Sequence, residues 1–256
     1  ENLPIGLLGD HYSHEISLSL IKLNDYKNLI NIFENCNIKI KKVLLKSFIK
    51  GAYLSNEYKD DNTFFNIEIN KESSRVFYFE NNSLKFDQNF NFGKNIIIKD
   101  ISKITSLKEN TIIDILHQIK FEKKNFDKDI LDKKYFINDN YTKIKKKLIY
   151  DIALARIEEI LKLILFSNIN LKKYIKPSIT IFLKFEEEIP ANLKIIFEEA
   201  VVMNGEFKIK ILDDPSSEKL IKTAEKIVQF GWKTEAIPMT SSKKSLISRF
   251  FEAIFS

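Results

Sequence analysis

The chain has 256 residues, 44% of them hydrophobic and 30% charged, which is enough apolar material for a core and excludes a disordered tail. Glycine occurs only 6 times. No G-x-G-x-x-G and no glycine–lysine phosphate loop can be written, so the usual dinucleotide and P-loop cradles are excluded. The net charge of +6 comes from lysine, since Arg75, Arg156 and Arg249 are the only arginines; a lysine-rich solvated surface is the expectation, with a basic face for nucleic acid or an anionic membrane as the alternative.

Taken in chain order, residues 16–24 alternate apolar and polar as a half-buried strand does. Asp25 can cap a helix from Tyr26 to about Asn35, with Leu29, Ile30 and Phe33 on one face. Cys36, the one cysteine, follows that apolar pattern and is expected to be a small buried hydrophobe; with no second cysteine there is no intrachain disulfide, and a reducing, cytoplasmic compartment is the simple expectation. Residues 38–46 alternate as a strand, 47–58 form a short helix and 59–62 a turn. Residues 63–69, 74–80 and 84–92 then form an antiparallel meander, its turns marked by NKES and NNS. Gly93 interrupts, and 96–104 begins a helical region.

Lysine-rich helical pieces fill 106–150, and 143–166 is the strongest helix in the chain, with Ile152, Ala155, Ile160 and Leu163 marking its apolar side. Pro177 opens a strand at 178–185, followed by a helix at 191–202, a strand at 207–212, a turn at 213–215 and a helix at 216–232 with a serine cap and Gly231 at its end. A meander, then helices, then strand–helix–strand–helix is an α/β pattern.

Catalytic constellations are sparse. There is no G-x-S-x-G elbow, and Cys36 sits in an apolar setting. His11 and His14 lack a third ligand, His117 stands alone, and no metal site is expected. The acid pairs Glu158–Glu159, Glu186–Glu188 and Asp213–Asp214 have the look of solvated faces or turns. No uncharged apolar run approaches the roughly 18 residues of a membrane span. The start has neither a signal-peptide pattern nor an initiator Met, which points to a fragment or a trimmed chain.

The last segment differs from the rest. After a linker at 236–244, Leu246, Ile247, Phe250, Phe251, Ile254 and Phe255 recur on a helical period, with Lys243, Lys244 and Arg249 beside them. Half-burying these side chains is worth about 5–9 kcal/mol before the cost of ordering. That suits an interfacial amphipathic helix at a membrane; a partner groove or the chain's own core are the alternatives.

The order of segments resembles the bacterial FtsA family of the actin/Hsp70-like superfamily. YKNLINIFENCNIKIKKVLLKSFIKGAYL resembles the helix, strand and helix closing the family's first domain, and FFNIEINKESSRVFYFENNSL its second phosphate hairpin. FGKNIIIKDISKI resembles the GG-x-x-(I/V)-T-x-D-I-A segment through Gly93, Asp100 and Ile101, and DIALARIEEILKLI the long helix with an Arg-x-Glu-Glu core, here Arg156, Glu158 and Glu159. The tail resembles the family's membrane-targeting helix.

The departures concern nucleotide. Glu68 stands for the hairpin's Asp, Asn70, Lys71 and Glu72 for its glycines, and Ser73 and Ser74 for its threonines, while KFEEE at 184–188 has none of the glycines of the adenosine turn. The resemblance implies an α/β, actin-like (ribonuclease H-like) fold. In it, 1–58 is the remnant of a first domain, 59–105 with 175–237 form subdomain IIA, 106–174 form IIB, and 238–256 are linker and amphipathic helix. It further implies a cell-division scaffold that is not an enzyme, tying FtsZ filaments to the inner face of the cytoplasmic membrane at the division site and self-associating into filaments, without nucleic acid. Glu68, Ser73, Ser74 and Glu159 are then vestiges of a nucleotide site at which ATP with Mg is the family's cofactor. The alternative is an actin-like ATPase or a pilus-assembly adaptor of the same superfamily.

Overall fold

In the computed structural model, residues 20–119, 128–136, 139–185, 189–213 and 215–231 are described. They form two compact units: one from residues 20–62, 80–85 and 216–231, the other from 63–79 and 86–215.

The sheet is mixed and five-stranded, in the order β3-β2-β1-β4-β5. β1 (Phe64–Ile69), β2 (Ser74–Glu80) and β3 (Ser83–Phe90) are the meander. β1 and β2 pair antiparallel from Phe64↔Phe79 to Ile69↔Ser74. The β2–β3 link is two residues long, and Asn81 and Asn82 both take positive φ (48° and 64°), the conformation that two-residue hairpins require and that Asn tolerates. β4 (Thr180–Phe185) lies parallel to β1, and β5 (Lys208–Leu212) parallel to β4. A meander with later parallel strands added beside its first strand is the α/β, ribonuclease H-like arrangement expected from the sequence.

One sheet face carries Phe65, Ile67, Ile69, Val76, Tyr78, Ile181 and Leu183 into a core shared with α3 (Asn95–Thr105), α4 (Glu109–Gln118), α5 (Lys146–Leu161) and α6 (Ala191–Met203). α5 packs on both α3 and α6. Asn192 of α6 donates to the carbonyls of Leu116 and Ile119, closing the C-terminal end of α4. The opposite face carries Phe64, Phe77, Phe79 and Phe182, all buried, with Phe64 5.4 Å from Phe79 and 5.0 Å from Phe182 between ring centroids. In the other unit, α1 (Leu23–Glu34), α2 (Lys46–Glu57) and α7 (Ser217–Phe230) are helical, and α2 packs on α7. Ser216 caps α7 through a 3.4 Å bond from the Lys219 N–H, as its sequence position suggests.

Four expectations are corrected. Leu20–Lys22, the described start of the 16–24 pattern, has no regular structure, and α1 begins at Leu23, so Asp25 lies in the first turn instead of capping it. Residues 38–45 form no strand: their lysine alternation has the right period, but among the described residues no strand lies beside them to take the ladder hydrogen bonds. Cys36 is exposed, because it falls in the turn after a helix that buries none of its residues. Within 143–166, Ile160 of α5 is buried but Ala155 of α5 and Leu163 of the helical turn after it are exposed, and the core takes Ile149, Ala153, Ile157 and Leu161 instead. Apolar residues recur on more than one side of that helix, between Lys146, Lys147, Asp151, Arg156, Glu158 and Glu159, so its periodicity could not choose the buried set.

Candidate functional site

Two places in the larger unit collect the residues that the sequence singles out. The first is the β1–β2 hairpin turn. Asn70 closes it by donating its N–H to the Ser73 carbonyl (2.8 Å) and its side-chain amide to Ser73 Oγ (3.1 Å). The loop into α3 lies directly against it. The N–H groups of Lys94 and Asn95 donate to the carbonyls of Asn70 and Lys71 at 2.9 and 3.0 Å, and Asn95 Nδ2 donates to Glu72 Oε1 at 2.5 Å. Ser74 Oγ donates to the Phe92 carbonyl at 2.7 Å. Gly93 makes the approach possible: a Cβ there would stand 2.2 Å from the Asn70 oxygen and 2.7 Å from the Lys71 oxygen.

Glu68 does not face this turn's surface. It is buried at 3% exposure within the sheet, accepts from Asn66 Nδ2 at 3.3 Å, and stands beside Lys184 of β4, itself buried, in the strand register. Asn70 Oδ1 is buried and has no hydrogen-bond partner. An unpaired acceptor at this point calls for a donor, and a phosphate oxygen offers none. With Lys71 and Glu72 side chains on the turn where a close backbone approach is needed, and the Glu72 carboxylate held in place by Asn95, these residues do not fit a magnesium–ATP phosphate cradle.

The second place is a cleft between α3 and α5. Arg156 donates through Nε to Asp100 and through Nη1 to Glu159 (2.6 Å), so two motif segments far apart in the chain meet at one guanidinium. Glu158 points along the helix to Lys162, 3.7 Å away. Asp100, Arg156 and Glu159, together with Asp151, Ile104, Ile152 and Ala155, line an open cleft of about 360 Å³. Glu68, Ser73 and Ser74 are not among its lining residues, so this cleft does not bring Glu159 together with the hairpin residues. Ile104 and Asp151 lie at the ends of the two motif segments, and nothing in the sequence singles them out.

Elsewhere, Asp139 caps α4 from 28 residues away, accepting from Thr111 Oγ1 at 2.5 Å and from the Lys108 N–H at 3.0 Å; the Thr111 hydroxyl is the main cause of its lowered pKa. Tyr150 of α5 donates to Glu199 of α6 at 2.6 Å, and burial, then this bond to a carboxylate, push its pKa up to about 12. His117 is exposed on α4, and the described residues hold no group of three metal-ligating side chains. No helix among the described residues is long and apolar enough to cross a membrane. His11, His14 and the membrane-binding residues Lys243, Lys244, Leu246, Ile247, Arg249, Phe250, Phe251, Ile254 and Phe255 lie outside the described residues.

The structure is similar to MreB5 of Spiroplasma citri bound to AMPPNP, at 14% identity over 81% of this chain and 65% of that one, with a TM-score of 0.48. It is similar to the PilM–PilN type IV pilus biogenesis complex (13% identity, 81% of this chain and 56% of that one, TM-score 0.41). It is also similar to the ethanolamine utilization protein EutJ of Carboxydothermus hydrogenoformans (7% identity, 63% and 47%, TM-score 0.39). These neighbours belong to the actin-like ATPase superfamily, and the chain spans less than two thirds of the length of each. No protein-family model matches the chain, and no curated protein is significantly similar to it.

Proposed function

We propose that this chain is a divergent actin-like scaffold of the FtsA type, which holds FtsZ filaments to the inner face of the cytoplasmic membrane and does so without ATP turnover. The observation that carries the reading is the hairpin turn. It keeps the place in the sheet at which an actin-like protein grips phosphate, yet Lys71 and Glu72 put side chains where glycines would let the backbone approach, and the Glu72 carboxylate, held by Asn95, repels a phosphate. A fold with a closed phosphate turn has lost the geometry for chemistry and retains its surfaces for binding. The meeting of Asp100 with Arg156 supports the alignment of both motif segments. The lysine-flanked stripe from Leu246 to Phe255 supplies the membrane contact, each basic residue adding about 1 kcal/mol on anionic lipid.

Co-sedimentation with phosphatidylserine-containing vesicles tests the anchor. The wild-type chain pellets, and Phe250→Glu with Phe251→Glu abolishes most of the pelleted fraction; equal binding of both overturns the anchor. Calorimetric titration with magnesium–ATP tests the closed turn. No binding is expected at micromolar nucleotide, and micromolar affinity returns the chain to the active actin-like ATPases. Co-pelleting of polymerised FtsZ with vesicle-bound protein tests the tether, and its absence removes FtsZ as the partner.

A further inference from the structure

Residues 128–147 hold seven lysines and three aspartates, a net charge of +4 in a chain whose whole net charge is +6. Their described part is a two-segment ribbon leading into α5. The Leu131 N–H donates to the Ile144 carbonyl and the Lys146 N–H to the Asp129 carbonyl, both at 2.9 Å, so Ile130 and Lys145 are an antiparallel pair whose side chains share a face. The inner face buries Leu131 and Ile144 in the core. Outside, Ile130 is 42% exposed and Lys128, Lys143 and Lys145 are exposed. Lys133 lies 5.4 Å over the ring of Tyr141, which is itself exposed and packs edge-on against Phe136. The three aspartates are already engaged: Asp129 pairs with Lys146 at 3.2 Å, Asp132 with Lys134 at 3.5 Å, and Asp139 caps α4. Lys128, Lys133, Lys143 and Lys145 make no ion pair among the described residues.

Stability does not account for this arrangement. Lys145, Lys146 and Lys147 stand at the positive end of the α5 macrodipole, and the first turn of that helix contains no acid. Local rules of stability are broken where a contact is served instead. We propose that the outer face of this ribbon is a contact surface for anionic lipid headgroups. Ile130 and Tyr141 enter the headgroup layer, and Lys128, Lys133, Lys143 and Lys145 meet its phosphates and carboxylates. Lysines act as point charges and suit a diffuse field of headgroups, whereas a bidentate grip on one phosphate of a nucleic acid calls for arginine, and residues 128–147 contain none. The tyrosine rings lie under ammonium groups, Tyr141 beneath Lys133 and Tyr135 beneath Lys134 at 5.0 Å, which makes them poor platforms for stacked bases. Aliphatic and aromatic side chains among lysines have the composition of a membrane interface. The surface lies wholly within the larger unit, and the proposal stands whether or not residues 245–255 insert.

Partition of the full chain onto phosphatidylserine–phosphatidylcholine vesicles tests this, with Phe250→Glu and Phe251→Glu present to silence the tail. Partition is expected to persist in that parent, to vanish on phosphatidylcholine alone, and to fall about tenfold when Lys128→Glu, Lys143→Glu and Lys145→Glu are added. Arginine at the same three positions is expected to keep it. The melting temperature of the glutamate variant should equal or exceed its parent's, because none of the three lysines is ion-paired and an acid at 145 suits the start of α5, so lost binding is not lost folding. With Cys36→Ser, a nitrobenzoxadiazole label on Ile130→Cys should shift its emission to the blue on phosphatidylserine vesicles. No partition of the parent, equal partition of the glutamate variant, or an unshifted label overturns the proposal. A shift given by single-stranded DNA or polyglutamate and not by vesicles also overturns it and assigns the surface to that polyanion. The tail is scored from wild type against Phe250→Glu with Phe251→Glu alone, so failure of the tail anchor and failure of the ribbon are read from different pairs of proteins.

Discussion

The hairpin turn at 70–73 and the α3–α5 cleft sit in the same compact unit and differ in how their polar groups are used. At the turn, main chain meets main chain: Lys94 and Asn95 donate to Asn70 and Lys71, Asn70 closes on Ser73, and Gly93 has no room for a side chain. At the cleft, side chain meets side chain, and Arg156 leaves carboxylate capacity over and apolar surface uncovered. A turn whose hydrogen bonds are spent internally is rigid and offers a ligand little, whereas a cleft with surplus charge and exposed isoleucine has binding energy to give. The difference separates a turn held by the fold's own main chain from a surface that leaves charge and apolar area exposed.

The largest effect is expected at the turn. Gly93→Ala forces a methyl group against two backbone oxygens that cannot rotate away. It should destabilise the protein by about 3 kcal/mol in urea unfolding, near the upper end for overpacking; a loss below about 1 kcal/mol would show that the two loops part easily. At the cleft, Arg156→Ala should cost about 1–2 kcal/mol, because the bonds are charge-assisted but partly exposed, Glu159 by more than half, and Asp100 and Glu159 are left without their shared cation. Arg156→Lys should recover less than half of that loss, since a single ammonium cannot serve both carboxylates with the guanidinium's geometry; full recovery would reduce the site to simple charge.

Smaller effects come from groups tying α5 and α4 into this unit. Tyr150 has a pKa raised from 10 to about 12, so its neutral phenol is the form the folded state favours. That contribution is complete below pH 10 and is lost as pH rises toward 12. Because the hydroxyl is largely screened by solvent, the loss should be about 1 kcal/mol. Tyr150→Phe should flatten the stability curve between pH 10 and 12, and an unchanged slope would mean that the bond to Glu199 contributes nothing. Asp139 has the opposite sign: its lowered pKa makes its contribution present above the ordinary carboxylate pKa and lost as pH falls through its depressed value. Asp139→Asn should speed amide exchange in the first turn of α4 at neutral pH and remove the acid-dependent part of that exchange. The effect should be the smallest of the four, because it is confined to the first turn of one helix.

Much of the fold was legible in the residues because its signals are local. FFNIEI and SRVFYFE alternate over a full strand length, Asn81–Asn82 is a two-residue turn that tolerates positive φ, and Ser216 precedes a helix with an acid in its first turn. Gly93 was legible as an interruption and as part of a motif, although the reason only glycine fits there lies in the carbonyls of Asn70 and Lys71, more than twenty residues earlier. Residues 38–41 alternate strictly and form no strand, because a strand exists only where another chain segment completes its hydrogen bonds. Glu68 could be read as a hairpin carboxylate, but its burial beside Lys184 depended on β4 pairing in parallel with β1. Composition and periodicity alone determined the α/β class, the meander, the missing phosphate glycines and the amphipathic pattern of the last residues. Tertiary structure alone decided which of the apolar residues of α5 face the core, that Asp100 reaches Arg156, and that Asp151 and Ile104 join them at one cleft. Those outcomes depend on contacts between residues tens of positions apart, and a local pattern carries no information about them.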